Sequence, residues 1–164
     1  MLIPLGFWAT AGGASLPIVT GGTLASDSTY FYRVFSANGT LSVTGGVLVA
    51  DSIVIAGGGS GGCSENAGFG QSGGGGAGGL LATSNASYPA NSYNIVIGGG
   101  AAATLTNLTR GSNGTDSTFG ALTATGGGGG AFGRTSYSPP NTSGKNGGSG
   151  GGASYGTTNG TPGT

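Results

Sequence analysis

The sequence predicts an all-β fold, a small antiparallel β core with glycine-rich loops and no α-helix. Three observations predict it. No window carries an apolar stripe of 3.6-residue period, several segments are β-branched and aromatic or alternate apolar with polar, and 42 of the 164 residues are glycine. Glycine averages about 7% of ordinary chains, and each one inside a helix costs about 1 kcal/mol relative to alanine. Composition turns over near residue 56: residues 1–55 hold 19 of the 30 Leu, Ile, Val and Phe and 8 glycines, whereas the rest holds 11 and 34. The chain therefore divides into three segments: 1–27, an apolar peptide and linker; 28–56, a β-hairpin and strand core; and 57–164, a glycine-rich region with interspersed short strands.

Within the core segment, Ser28 to Phe35 is aromatic and β-branched, Asn38-Gly39 supplies a turn, and Thr40 to Thr44 alternates, so the three read as a β-hairpin. Val47 to Ile55 reads as two short strands, or one with a bulge near Asp51-Ser52. Later strand candidates are Gly79 to Thr83, Tyr93 to Ile97 and Ser117 to Thr125. Between them lie glycine blocks at 57–62, 73–79, 98–100, 126–130 and 147–152. Two readings of the blocks stand. Gly/Ser tracts behave as mobile linkers, but glycine loses the most freedom on ordering, and its repeated use suggests a return from the missing side chains. In the second reading the blocks form three-residue-per-turn helices of the polyglycine-II kind, analogous to polyproline II. Glycine keeps its N–H, so such helices can bond to one another and build a core from backbone.

Charge and residue type narrow the function classes. Four basic and four acidic residues give zero formal charge, which leaves no electrostatic footprint for nucleic acid and no basic amphipathic stretch for a membrane surface. The sequence lacks histidine, the commonest general base and metal ligand. Asp27, Asp51, Glu65 and Asp116 are scattered, and the lone Cys63 can form no internal disulfide. The chain therefore reads as non-enzymatic, with no catalytic, cofactor-binding or metal-binding residue nominated. The stretch from Ile53 through Gly57-Gly-Gly59-Ser-Gly-Gly62 matches the dinucleotide-binding pattern G-x-G-x-x-G, but residues 63–74 are too glycine-dense to start the required helix. Six Asn-x-Ser/Thr sequons, at Asn38, Asn85, Asn107, Asn113, Asn141 and Asn159, read as turn chemistry. The opening residues lack a cationic region and are broken by Pro4 and Gly6, so no signal peptide is expected.

The aromatic residues divide into two sets. Tyr30, Phe31, Tyr32 and Phe35 belong to the strand segment and are expected in the core. Phe69, Phe132, Tyr137 and Tyr155 lie among glycine and polar residues, either wedged between glycine helices or exposed as contacts for sugar or a surface protein. In the apolar opening, Leu5, Phe7 and Trp8 either fold back on the hairpin or dock in a partner's pocket.

The order of pieces resembles the glycine-rich domain of tailed-bacteriophage tail fibre and tail-tip proteins. The resemblance rests on Ile-Val-Ile-Ala-Gly-Gly-Gly at 53–59, Gly-Gly-Gly-Gly-Ala-Gly-Gly-Leu-Leu at 73–81, Tyr-Asn-Ile-Val-Ile-Gly-Gly-Gly at 93–100, Gly-Thr-Asp-Ser-Thr-Phe-Gly at 114–120 and Ala-Thr followed by five glycines at 124–130. The opening Pro-Leu-Gly-Phe-Trp-Ala is similar to attachment peptides of phage virion proteins. The resemblance implies a virion protein, assembled in the host cytoplasm and exposed on the particle, forming homo-oligomers such as trimers. Its implied partners are other tail or capsid proteins and a host-surface glycan or protein, with neither nucleic acid nor membrane insertion. Leu5, Phe7 and Trp8 would attach it, and Phe69, Phe132, Tyr137 and Tyr155 would face the host. A capsid decoration protein and a glycine-rich extracellular structural protein are the alternatives.

Overall fold

The computed structural model describes residues 15–64, 71–103, 105, 109–133 and 142–154. Among them are nine strands and no helix: β1 (Ile18–Thr20), β2 (Thr23–Ser26), β3 (Phe31–Val34), β4 (Gly39–Thr44), β5 (Leu48–Ile55), β6 (Leu80–Tyr88), β7 (Asn91–Val96), β8 (Ser117–Phe119) and β9 (Leu122–Ala124). The fold is all-β. One sheet has the order β1-β4-β7-β8-β9, and β2-β3 and β5-β6 form separate two-stranded sheets. The chain divides into two compact units, one from the residues up to Val54 with Leu81–Ile97 and Thr118–Thr123, the other from Ile55–Leu80, Gly98–Ser117 and the residues from Ala124 onward. The β core expected over 28–56 thus also takes in strands from the segment that composition marks as glycine-rich.

The first unit is held by side chains. In β4, Leu41 and Val43 point inward, and antiparallel pairing with β7 sets Leu41 opposite Tyr93 and Gly39 opposite Ile95. Tyr88, Tyr93 and Phe119 form an aromatic cluster with ring centroids 5.1 to 5.7 Å apart, a spacing at which edge and tilted contacts add to area burial. Val47 to Ile55 resolves into the single strand β5, whose alternation runs through Ser52 without interruption. Ser52 is 1% exposed, and its hydroxyl is satisfied by Thr83 Oγ1 at 2.8 Å and Tyr88 OH at 3.0 Å. That closed hydroxyl cluster lets a polar residue occupy a core row.

The hairpin expected from 28–35 and 40–44 does not form. β3 instead pairs with β2, Ser26 opposite Phe31, while β4 pairs with β1 and β7. Local chemistry explains the exchange. Asp27 closes an Asx turn, its Oδ1 accepting the N–H groups of Thr29 and Tyr30 at 2.7 Å, while Asn38 Oδ1 accepts Ile97 N–H at 2.8 Å. Asn38 therefore ties down the exit of β7. The β8–β9 hairpin turns through Gly120 at φ +56°, where a side chain is disfavoured.

The second unit is held by backbone. Ala56, Gly59 and Gly62 donate N–H bonds to the carbonyls of Gly79, Gly76 and Gly73, while Gly57, Ser60 and Cys63 donate to Thr115, Ser112 and Thr109. Each ladder advances three residues on both partners. Gly73, Gly76 and Gly79 in turn donate to Ala131, Gly128 and Thr125. A segment whose N–H direction returns every three residues has the period of a three-per-turn extended helix and bonds to several neighbours, where a β-strand has two.

Residues 126–133 lie buried at the centre of this lattice. Every backbone group from Gly126 to Ala131 is satisfied. Gly127 and Gly130 donate to Gly57 and Ser60, Gly128 and Ala131 donate to Ser149 and Gly152, and the six carbonyls accept from Gly148, Gly114, Gly76, Lys145, Gly111 and Gly73 in chain order. The remaining donors, Gly126 and Gly129, go to side chains: Asp116 Oδ1 at 2.8 Å and Asn113 Oδ1 at 3.0 Å. Asn113 and Asp116 are three apart, so the same period that orients the glycines puts both acceptors on one side. Buried peptide groups must be paired, and here the pairing is the core.

Candidate functional site

Leu5, Phe7, Trp8, Phe69, Tyr137 and Tyr155 lie outside the described residues. Phe132 lies within them and is 4% exposed, with its carbonyl accepting Ser154 Oγ at 2.7 Å. Phe132 continues the buried segment from Gly126, so the expectation of an exposed host-contact residue is corrected at this position.

The G-x-G-x-x-G stretch at 57–62 forms a lattice segment. A phosphate loop needs N–H groups aimed at the ligand, whereas those of Gly57, Gly59, Ser60 and Gly62 already donate to Thr115, Gly76, Ser112 and Gly73. Packing imposes the glycines here. A Cβ at Gly59 would overlap the Gly128 carbonyl, and one at Gly62 the Ala131 carbonyl. No group of three metal-ligating side chains converges among the described residues.

Among the described residues, the exposed aromatic residues of the first unit lie on the β2–β3 ribbon. Tyr30 is 45% exposed, Phe31 44% and Leu24 53%, whereas Phe35 is buried. The expectation that all four aromatics of this segment form core thus holds for Phe35 and is corrected for Tyr30 and Phe31, while Tyr32 is half-buried. β3 has no strand partner beyond β2, and its Tyr32, Arg33 and Val34 are half-buried while all of β2 is exposed. Alternation puts Leu24, Ser26, Phe31 and Arg33 on one face and Thr23, Ala25, Tyr32 and Val34 on the other. The Tyr30 ring lies beside Tyr32, centroids 6.3 Å apart and planes inclined by 54°.

Asp27 organises the tip of this ribbon. Its Oδ2 accepts the Tyr32 hydroxyl, and its backbone N–H donates to the Tyr30 carbonyl at 3.0 Å. The Tyr32 hydroxyl, followed by the Thr29 and Tyr30 N–H groups, holds the Asp27 carboxyl below its ordinary value of 3.8, and the same contact raises the Tyr32 phenol above 10.0. A depressed acid contributes to the folded state fully above its unfolded pKa, and the contribution is lost as pH falls through the lower folded value. The tip is thus expected to keep its geometry at neutral pH and to loosen only below about pH 4. Tyr32→Phe should raise the Asp27 titration midpoint toward its ordinary value, as read by carboxyl NMR; an unchanged midpoint would mean that the two N–H donors alone set it.

The molecule is thus a small side-chain-packed β core joined in one chain to a unit whose interior is hydrogen-bonded glycine backbone. A family model described as a glycine-rich domain matches residues 35–164, and the chain belongs to that family. No curated protein and no solved structure matches the chain.

Proposed function

We propose that the chain is a structural, non-enzymatic virion protein of a tailed bacteriophage, a tail fibre or tail-tip component attached through its N-terminal peptide. The observation that carries this reading is the buried 126–131 segment with every peptide group bonded. Such a body has little to offer chemistry and much to offer a particle surface, since a backbone paired in several directions gives proteases no extended segment to bind. We assign its segments the polyglycine-II conformation, which the three-residue ladders support. The ordered motifs from Ile53 to Gly130 support the virion reading by their resemblance to phage fibre domains.

Gold-antibody electron microscopy of intact particles tests the reading. Label at the tail is expected, and label is expected to disappear from particles carrying Phe7→Ala with Trp8→Ala while the soluble protein still folds. Label over the head would replace the tail assignment by a capsid decoration protein. Absence from any particle would end the virion reading.

A further inference from the structure

We infer that the outer seam between residues 56–63 and 73–79 is a docking site for a glycine-rich segment of a partner protein, which enters it as one more three-per-turn chain of the lattice. The inference rests on the three-residue conformation assigned above and is independent of the virion reading. The two segments lie side by side, with Ala56, Gly59 and Gly62 donating to Gly79, Gly76 and Gly73. A trans peptide turns the N–H of each residue away from the carbonyl of the residue before it. The carbonyls of Gly74 and Ala77 accept Gly152 and Ser149, so the N–H groups of Gly75 and Gly78 point away from the 145–152 segment. By the same rule, the N–H groups of Gly57, Ser60 and Cys63 donate to Thr115, Ser112 and Thr109, so the carbonyls of Ala56, Gly59 and Gly62 point away from the 109–115 segment. The two rows therefore converge over the seam, a donor row on one wall and an acceptor row on the other.

Both rows are without hydrogen-bond partners among the described residues. Unpaired backbone rows at a sheet edge are templates for a further chain, and the lattice interior shows which chain fits here. A Cβ at Gly114, Gly59 or Gly62 would overlap the carbonyl of Gly57, Gly128 or Ala131, and each of those carbonyls also accepts an N–H, from Gly127, Gly76 and Gly73. A Cβ at Gly75 or Gly78 would overlap the carbonyl of Gly59 or Ala56 in the same way, yet these two accept none. Period, chemistry and charge then select the occupant. Each row repeats every three residues, about 9.3 Å along a three-per-turn extended chain, where a β-strand offers its groups every two, about 6.8 Å. Serving both rows takes N–H groups as well as carbonyls, which excludes a proline run. Close approach takes glycine, since the interior segments meet at distances that a side chain would block. Neither wall carries an Asp, Glu, Lys or Arg, so an uncharged segment leaves no ion unpaired. The chain's own glycine blocks at 57–62, 73–79, 98–100, 126–130 and 147–152 are already bonded into its structure, so a free segment comes from another protein.

The test is an NMR titration of the isotope-labelled full chain with a hexaglycine peptide carrying two lysines at each end for solubility, compared with hexaproline and an alternating Thr-Val hexamer in the same flanks. The glycine peptide should give saturable shifts at the amides of Gly75 and Gly78, with a Kd on the order of 1 mM, and should slow their hydrogen exchange. Gly58→Val should weaken binding by at least about tenfold. A Cβ at Gly58 stands 3.5 Å from the Gly76 carbonyl oxygen and 3.9 Å from the Gly78 nitrogen, ordinary contacts that place the side chain at the seam without forcing the segments apart. Gly61→Ala, whose Cβ meets the Gly73 carbonyl oxygen at 3.5 Å, is the second blocking variant should Gly58→Val unfold. Gly99→Ala, with nothing within 4 Å of its Cβ, should bind as the parent does. No saturable shift with hexaglycine overturns the site, as does parent-like binding in both blocking variants. Equal binding of hexaproline or of the Thr-Val hexamer overturns the choice of ligand. Shifts at Gly75 and Gly78 that grow with protein concentration alone would give the seam to a second copy of the chain. Protection of 126–131 without peptide binding overturns the site alone, whereas random-coil exchange there overturns the conformation on which it rests.

Discussion

Gly130→Ala is expected to lower stability by about 3 kcal/mol or more, a fall in Tm of roughly 10 °C. The new methyl would overlap the Gly73 carbonyl and press on the Gly74 carbonyl oxygen, and neither can rotate away as a side chain would. Separation of the two segments would also strain bonds that Gly130 makes on other sides, its N–H to Ser60 at 2.9 Å and its carbonyl from Gly111 at 2.8 Å. Gly74→Ala provides the contrast, because a Cβ there meets nothing within 4 Å. Its effect should lie within about 0.5 kcal/mol of zero, or stabilise slightly by restricting the unfolded chain. Thermal unfolding of the two variants measures both. Equal losses would mean that glycine is needed for conformation generally and not for close approach.

Amide hydrogen exchange should show the lattice period directly. From Gly126 to Ala131 all six N–H groups are bonded in a buried segment, so exchange is expected to be slowed more than about a thousandfold, equivalent to opening at ~4 kcal/mol. In the peripheral segment 73–79, Gly73, Gly76 and Gly79 are the backbone donors to other described residues. Those three should exchange slowly, and Gly74, an exposed residue with open space around its Cα, should exchange quickly. A one-in-three pattern at the periphery with uniform protection at the centre distinguishes this packing from a β-sheet, where protection alternates in twos at an edge. Random-coil rates throughout 126–131 would remove the packed core altogether.

The strands of the first unit were legible where burial alternates. Leu41 and Val43 in β4, and Tyr93 with Ile95 in β7, carry the period that marks a half-buried strand. β1 is too short for its single buried residue, Val19, to show a period, and β2 gave no such sign. β2 is exposed at all four positions, so nothing in Thr23-Leu-Ala-Ser records a buried face, and its pairing is specified by the Asp27 turn instead. Without β2 in view, Asn38-Gly39 looked like the hairpin turn and Tyr30 looked like core. The glycine blocks were legible as elements but not in their partners, since glycine has no side chain to encode register. Some register is written beside them: Asn113 and Asp116, three residues apart, receive Gly129 and Gly126. Paired Asn/Asp at that spacing, next to a glycine run, is a signal that a reading for turns and catalytic carboxylates passes over.

A core of peptide groups has its own response to temperature. Exposing apolar area raises the heat capacity of unfolding, whereas exposing polar area lowers it, and the usual net is ~12–15 cal/mol/K per residue. Unfolding 126–131 and its neighbours would uncover mostly N–H and C=O groups, with Ala131 and Phe132 among the few buried apolar side chains of the second unit. The heat-capacity increment of that unit should therefore be small and its stability curve flat. Hydrophobic cores weaken on cooling; a lattice of peptide bonds has far less of that driving force to lose, and so holds its shape across a wider span of temperature than its sparse side chains suggest.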